Sequence, residues 1–344
     1  MLEFDKSAEQ GAAVRVIGAG TFGLKVVGSM TGRIHNVECF GVVQKDSAGS
    51  DNLPLVSLPL FSNQDHHDTA PLLEKLGTPD LVFIVTNLDE EDGLLKDICT
   101  ALHNGNIPTF LVMPESACTI ERITGSAGLE RTEKVTLDGV LILSESSMAP
   151  PYPLSWNVQD ALAIQDNLFQ LAIRQISDLI TSHSLMGIDY ADVMVTICGG
   201  MMQFGAGIAC GDEGAFRAAE KASACLIKQG VELHTISSML NSVYGSSNIM
   251  NMDDYNSVSK FIHGQINDEC NYRIGVINDD SLGDNLLVSF IAVRRPSEEE
   301  VFPPWVKLYD KYDRTRHSEQ SAPDSSIFND NEEYEVPSWL RKAP

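Results

Sequence analysis

The chain has 344 residues and a formal net charge of −24. That length accommodates two domains with buried cores. So acidic a balance argues against nucleic acid, whose phosphates select Lys and Arg, and against adsorption to an anionic membrane; it favours partners with basic patches.

No apolar run approaches the ~18 residues of a spanning helix, so no membrane insertion is expected. The opening Met1-Leu-Glu-Phe-Asp-Lys6 has no basic stretch ahead of an apolar one, so no secretion signal is expected. The seven cysteines (Cys39, Cys99, Cys118, Cys198, Cys210, Cys225, Cys270) are scattered and form no CxxC pair. They read as buried thiols in a reducing cytoplasm, with no disulfide framework and no metal site.

Along the chain, strand-like and helix-like segments alternate. Val14–Gly18 is a β-rich run ending in glycine, followed by a helical stretch over Leu24–Met30. Cys39–Val43, Leu81–Val85, Thr109–Met113 and Val140–Leu143 are further apolar strands, and a helix through Leu94, Ile98 and Leu102 follows the third expected strand. Continuous apolar strands alternating with helices predict an α/β domain whose parallel sheet is flanked by helices. Ala161, Ile164, Leu168, Ala172, Ile176 and Leu179 then have the spacing of one long amphipathic helix over 159–181. Beyond it come a strand over Met201–Ala209, a helix over Glu213–Leu226 and a mixed strand over Glu232–Tyr244. A helix over Asp253–Ile266 follows, with Asp253 as its N-cap, then a final strand pair, Tyr272–Ile277 with Leu286–Val293. This half is expected to be a separate α/β domain joined through the long helix. From Arg295 onward acids, Ser and Pro dominate, and a disordered segment is expected. Within it Phe302–Tyr309 is unusually aromatic, and either packing on the body or docking is open for it.

The last ten residues, Glu335-Val-Pro-Ser-Trp-Leu-Arg-Lys-Ala-Pro344, end the acidic tail in an apolar and basic hook. Val336, Trp339 and Leu340 fall at i, i+3 and i+4, one face of a helical turn beside Arg341 and Lys342. That is the layout of a peptide that folds into a partner's groove.

The hook, with Pro337 after Val336, resembles the adaptor-binding tail of FtsZ, the bacterial tubulin homologue, which reads Ile/Val-Pro-x-Phe/Trp-Leu-Arg. Ile176-Ser-Asp-Leu-Ile-Thr-Ser-His-Ser-Leu-Met-Gly-Ile-Asp-Tyr-Ala-Asp-Val193 is similar to that family's I-x-x-L-I-T-x-x-x-L-M-N-V-D-F-A-D-V. The likeness continues through Met201–Gly211 and the Ala-rich helix, then through Asn271–Ile277 and Leu286–Val288. It covers residues 12–294 in layout and is specific from about residue 160 onward. The resemblance implies a degenerate Rossmann-like GTPase domain over 12–158, a central helix over 159–181 and a tubulin/FtsZ-type second domain over 182–294. A linker over 295–334 and an adaptor-docking peptide over 335–344 complete the layout.

It also implies roles. Asp189 and Asp192 match the two acids that, in the family, enter the next subunit's nucleotide site and help activate water. From the residues alone, Asp189 caps a helix and Asp192 sits in its first turn. The family's Asn two positions before the first acid is Gly187 here. The phosphate site departs further. Where FtsZ has a GGGTGTG loop after the third main strand, this chain has Thr86-Asn-Leu-Asp-Glu-Glu-Asp-Gly93, with one glycine and four acids. A carboxylate ~4 Å from a phosphate costs about 1 kcal/mol per charge pair in water and more when desolvated. Gly18-Ala-Gly-Thr-Phe-Gly23, Asp46, and Asp166 with Asn167 stand as remnants of the nucleotide site.

The leading reading is a cytoplasmic, division-site FtsZ paralogue with no cofactor. It would bind or cap filaments of FtsZ, or of itself, through the Asp189/Asp192 face and meet an adaptor through its tail. The alternative is a divergent, self-assembling FtsZ GTPase with GTP as cofactor. A remote alternative is an NAD-binding enzyme, since GAGTFG satisfies G-x-G-x-x-G. Its ribose-binding acid is lacking: Glu38 precedes the second strand, Asp46 lies too far on, and the lone His183 declares no catalytic partner.

Overall fold

The computed structural model describes residues 12–34, 36–43, 53–58, 67–88, 92–118, 135–144, 147, 158–181, 186–295 and 306–308. All fall in one compact unit, Met1–Lys311; a second unit, Tyr312–Pro344, lies outside the described residues.

The amino-terminal half runs β1 (Val14–Ala19), α1 (Gly20–Met30), β2 (Val37–Val43), β3 (Leu55–Ser57), α2 (Ala70–Leu76), β4 (Leu81–Val85), α3 (Asp92–Asn104), β5 (Thr109–Pro114), β6 (Val135–Leu137) and β7 (Gly139–Leu143). β4 and β5 are buried along their whole length, which is why they read as unbroken apolar runs. Alternate strand residues point to opposite faces. Ile17, Val82, Ile84, Leu111 and Met113 join Leu72 and Leu76 of α2 and Leu94, Ile98 and Leu102 of α3 in one core cluster. Three elements were not foreseen. β3 and β6 are three residues each, too short for a period to show. α2 occupies the stretch expected only as a connection; Pro71 sits in its first turn, and Leu72 and Leu76 are buried.

The carboxyl-terminal half runs α4 (Val158–Thr181), α5 (Tyr190–Ile197), β8 (Gly200–Cys210), α6 (Gly214–Lys228), β9 (Ser238–Gly245), α7 (Met252–His263), β10 (Asn271–Asn278), β11 (Asn285–Arg294) and β12 (Val306–Leu308). The main sheet has ten strands in the order β10-β9-β11-β8-β7-β5-β4-β1-β2-β3. The halves therefore join edge to edge, through the parallel pairing of β7 with β8 (Val140 opposite Met201), as well as through the long helix. Strand pairing is parallel from β3 to β8 and antiparallel on both sides of β11.

Three expectations are corrected here. β10 and β11 do not pair: β9 lies between them, parallel to β10 and antiparallel to β11. The turn joining them crosses the end of β9, where Asp279 N–H donates to the Gly245 carbonyl (2.9 Å) and Asp280 accepts from the Ser246 hydroxyl (3.1 Å). The cap of α7 is Asn251, not Asp253. Its Oδ1 accepts from the N–H groups of Asp253 and Asp254, and Asp254 accepts in return from Asn251 N–H, a reciprocal box. Thirdly, the stretch expected as a linker contains a strand: Val306–Leu308 pairs in parallel with β6, so part of the aromatic segment packs on the body.

The long helix α4 buries Leu168, Ala172, Ile176 and Leu179 as the spacing predicted, with Phe169 and Ile173 beside them. It also carries polar links to the sheet. Buried Gln175 donates to the carbonyls of Leu240 and Ser289, while Arg174 binds Asp178 (2.8 Å) and Asp279 (2.7 Å) and lies over the Tyr244 ring. Among the described residues Cys39, Cys99, Cys198 and Cys225 are buried, but Cys210 is exposed at the end of β8. Also among the described residues, no helix is long and apolar enough to cross a membrane.

Candidate functional site

Read from its far edge, the parallel part of the sheet has the order 3-2-1-4-5-7, a doubly wound arrangement whose direction of progression reverses between β1 and β4. Ligands of such sheets bind at the carboxyl ends of the strands flanking that reversal. The two turns singled out from the sequence meet there. Gly18 is the penultimate residue of β1 and Gly20, at φ +71°, opens α1. A Cβ on Gly23 would collide with the Val85 carbonyl oxygen, and one on Gly18 with the Gly23 carbonyl oxygen. These glycines let the first turn of α1 lie directly against β1 and the end of β4. Ala19, at its N-cap position, offers no side-chain bond, and the turn holds no acid.

The β4 side is different. Thr86 Oγ1 accepts from the Leu88 N–H (3.2 Å), and Leu88 adopts φ +64°, a left-handed conformation costly for a branched side chain. Its side chain packs on the α2–α3 core. The Leu88 amide of this loop is thus occupied within the chain. Asp89, Glu90 and Glu91 lie outside the described residues, and α3 begins at Asp92.

Of the remaining remnants, Asn167 is exposed on α4, which approaches α1 through an edge-to-face contact between Phe22 and Phe169 (5.5 Å). Asp166 belongs to the same helix. Asp46 lies outside the described residues. Glu38 sits opposite Arg15 at the amino end of β2 and pairs with its guanidinium (3.2 Å), so it points away from the crevice end of the sheet.

The acidic loop is built at the other end of the same strands. Asp189 stands at the N-cap position of α5, exposed, with no side-chain cap bond; its carbonyl accepts from Val193 N–H. The expected capping is therefore by position and backbone alone. Asp192 lies in the first turn and forms an ion pair with Arg273 of β10 (3.3 Å), the two side chains being 45% and 37% exposed. Met186 forms an antiparallel bridge with Val276, laying the chain just before Asp189 along the free edge of β10. Tyr190 donates from its hydroxyl to the Asp80 carbonyl (2.7 Å), and Asp80 accepts from Ala13 N–H, both just ahead of β4 and β1. His183 lies outside the described residues.

Two poles result. The glycine turn is at the carboxyl ends of β1 and β4, and Asp189 is beside their amino ends. Five to six residues of strand at ~3.3 Å each put roughly 17–20 Å between them. Asp189 and Asp192 cannot serve the chain's own crevice. Among the described residues no group of three or more His, Cys, Asp or Glu is placed to hold a metal ion. Sequence reasoning missed Arg273, the Met186–Val276 bridge and the Tyr190–Asp80 bond. No linear signal marks them; Arg273 is 81 residues from Asp192.

With its nucleotide-type sheet, central helix and acid-bearing loop at the opposite pole, the chain has the fold of solved proteins of the tubulin/FtsZ class. FtsZ from M. jannaschii, solved as a point mutant, superposes with a TM-score of 0.67 at 16% identity, covering 88% of this chain and 96% of that one. A structure titled as an empty FtsZ dimer from the same organism gives 0.66 at 15% identity, covering 88% and 93%. In sequence, cell division protein FtsZ 2 of Rhizobium meliloti is 25% identical over 268 residues, 76% of this chain and 77% of that protein. Cell division protein FtsZ of Buchnera aphidicola is 26% identical over 171 residues, 49% of this chain and 44% of that relative's length. No protein-family model matches. The chain is a divergent FtsZ-like protein of the tubulin/FtsZ superfamily.

Proposed function

We propose that this protein is a cytoskeletal subunit of bacterial cell division, working in the cytoplasm at the division site, that joins a filament through its Asp189/Asp192 face. The observation that carries this reading is the separation of the two poles. A loop whose acids face away from the chain's own crevice has work to do only on another molecule. An interface of one pole on the opposite pole of the next subunit is head-to-tail, the geometry that builds open filaments. The FtsZ names of its relatives, and the solved FtsZ dimer, support a subunit role.

The crevice supports a nucleotide-poor subunit. The loop after β4 carries one glycine among Asp89, Glu90, Glu91 and Asp92, and its Leu88 amide is spent on Thr86. Backbone N–H groups that would converge on phosphate are what such a loop must offer. A subunit with one competent pole can join a filament end but cannot propagate it, so the protein caps or shortens filaments of a nucleotide-binding FtsZ. Residues 335–344, outside the described structure, recruit a division adaptor. A second reading, a self-assembling GTPase, is favoured by one feature: the glycine crossing at Gly18–Gly23, which lays an acid-free first turn of α1 against the ends of β1 and β4.

Calorimetry of nucleotide-stripped protein with GTP separates the two. The expected result is no micromolar isotherm, and no sedimentable polymer of this protein alone with GTP. Substoichiometric protein should shorten FtsZ filaments, and Asp189→Lys with Asp192→Lys should abolish that effect. A clear micromolar isotherm with polymerisation of the protein alone would establish the GTPase reading instead.

A further inference from the structure

The face around Asp189 has a charge problem. If it meets a partner's nucleotide, as the docking reading requires and on which this inference rests, two carboxylates confront phosphate oxygens. Each such like-charge pair is repulsive even in water. Arg273 supplies the missing cation. One of its terminal nitrogens donates to the Tyr272 carbonyl (3.0 Å) and the other to Asp192 (3.3 Å), a single contact and not a two-point fork. Its remaining N–H donors have no partner among the described residues, and the side chain is 37% exposed.

The mounting is rigid. Arg273 lies within β10, paired along its length with β9. Two residues on, Gly275 lets Leu179 and Ile188 lie against the strand, where a Cβ would collide with the Leu179 side chain. Val276 then exchanges two backbone bonds with Met186. The loop bearing Asp189 and the strand bearing Arg273 therefore move as one piece. Leaving Asp192 costs little, because half-exposed ion pairs are weak, whereas a guanidinium matches phosphate with two parallel bonds.

We infer that Arg273 is the phosphate-binding residue of this face: on docking it exchanges Asp192 for the terminal phosphate of a nucleoside triphosphate held by the partner subunit. A diphosphate lacks that group, so the contact makes docking sensitive to the partner's nucleotide state.

The test measures binding of full-length protein to the FtsZ of the same cell, loaded either with a non-hydrolysable GTP analogue or with GDP. Wild type should bind the triphosphate form more tightly. Arg273→Ala should weaken that arm by about tenfold, the value of one lost hydrogen bond to a charged group, and leave the GDP arm unchanged. Arg273→Lys should recover part of the preference. Hydrogen exchange over residues 186–193 shows whether the alanine variant keeps the loop in place; where it does not, the lysine variant decides. Equal weakening in both arms, or an unchanged preference, overturns the inference while the docking reading stands. No binding by wild type in either arm overturns the docking reading and the inference with it.

Discussion

Gly23 carries a tight constraint at the crevice. Its α-carbon faces the Val85 carbonyl oxygen with no room for a methyl group, and the obstacle is backbone, which cannot rotate aside. Gly23→Ala should push α1 off β4 and destabilise the protein by about 1–3 kcal/mol, the usual cost of overpacking. Urea unfolding of the two proteins would measure it; an unchanged midpoint would mean that α1 and β4 are not in contact there. The glycine pattern was legible in the sequence as a strand-to-helix turn. The purpose of each glycine was not, because Val85 is far along the chain from Gly23. The dinucleotide alternative fails at this scale too, since Glu38 is occupied by Arg15 at the wrong end of its strand.

At the scale of elements, α4 is held to the second half of the sheet by a charged clasp. Asp279 is surrounded by its own neighbour Ser281, whose N–H (3.1 Å) and hydroxyl (2.5 Å) donate to it, and by Arg174 from the helix (2.7 Å). Burial works to raise its pKa, but the Ser281 hydroxyl and the Arg174 guanidinium outweigh it and hold the carboxyl below its ordinary range. A carboxylate with a lowered folded pKa contributes stability that is complete above its unfolded value and is lost as pH falls through the folded one. Stability should therefore decline on the acid side, as pH falls below the ordinary carboxylate range. Asp279→Asn should be less stable at neutral pH and show a shallower acid-side decline, as read from urea midpoints across that window. Parallel pH curves for the two proteins would mean that Asp279 carries no share of it. The helix was predictable from its apolar spacing, which its buried side satisfies at Leu168, Ala172, Ile176 and Leu179. The clasp was not, because Arg174 and Asp279 are 105 residues apart.

For the whole molecule, charge and polarity of the two ends matter most. An acidic body suits partners with basic surfaces, and in the proposed reading the hook Val336-Pro-Ser-Trp-Leu-Arg341 would bring an apolar anchor to one of them. Trp339→Ala should abolish recruitment to the division site while leaving the thermal transition of the body unchanged, since truncating a buried interface Trp costs about 2 kcal/mol or more. Fluorescence localisation with a melting curve would check both halves; undiminished recruitment would remove the tail from the account. The strand Val306–Leu308 returns to β6 before that tail begins, a packing that the aromatic composition of Phe302–Tyr309 left open beside docking.

What the linear chain decided, then, was local. Apolar runs named most strands because buried parallel strands need no polar residues, and helices announced themselves by period. Asp189-Tyr-Ala-Asp192, read with its flanking residues, pointed to the family because a contiguous motif survives in sequence. Tertiary structure alone decided the rest. It placed β9 between β10 and β11, joined the two halves through β7 and β8, and put Arg273 on Asp192. It also set the glycine turn and the acidic loop at opposite ends of β1 and β4. Those are relations between segments tens of residues apart, fixed by strand order and register, and local propensity carries no information about either.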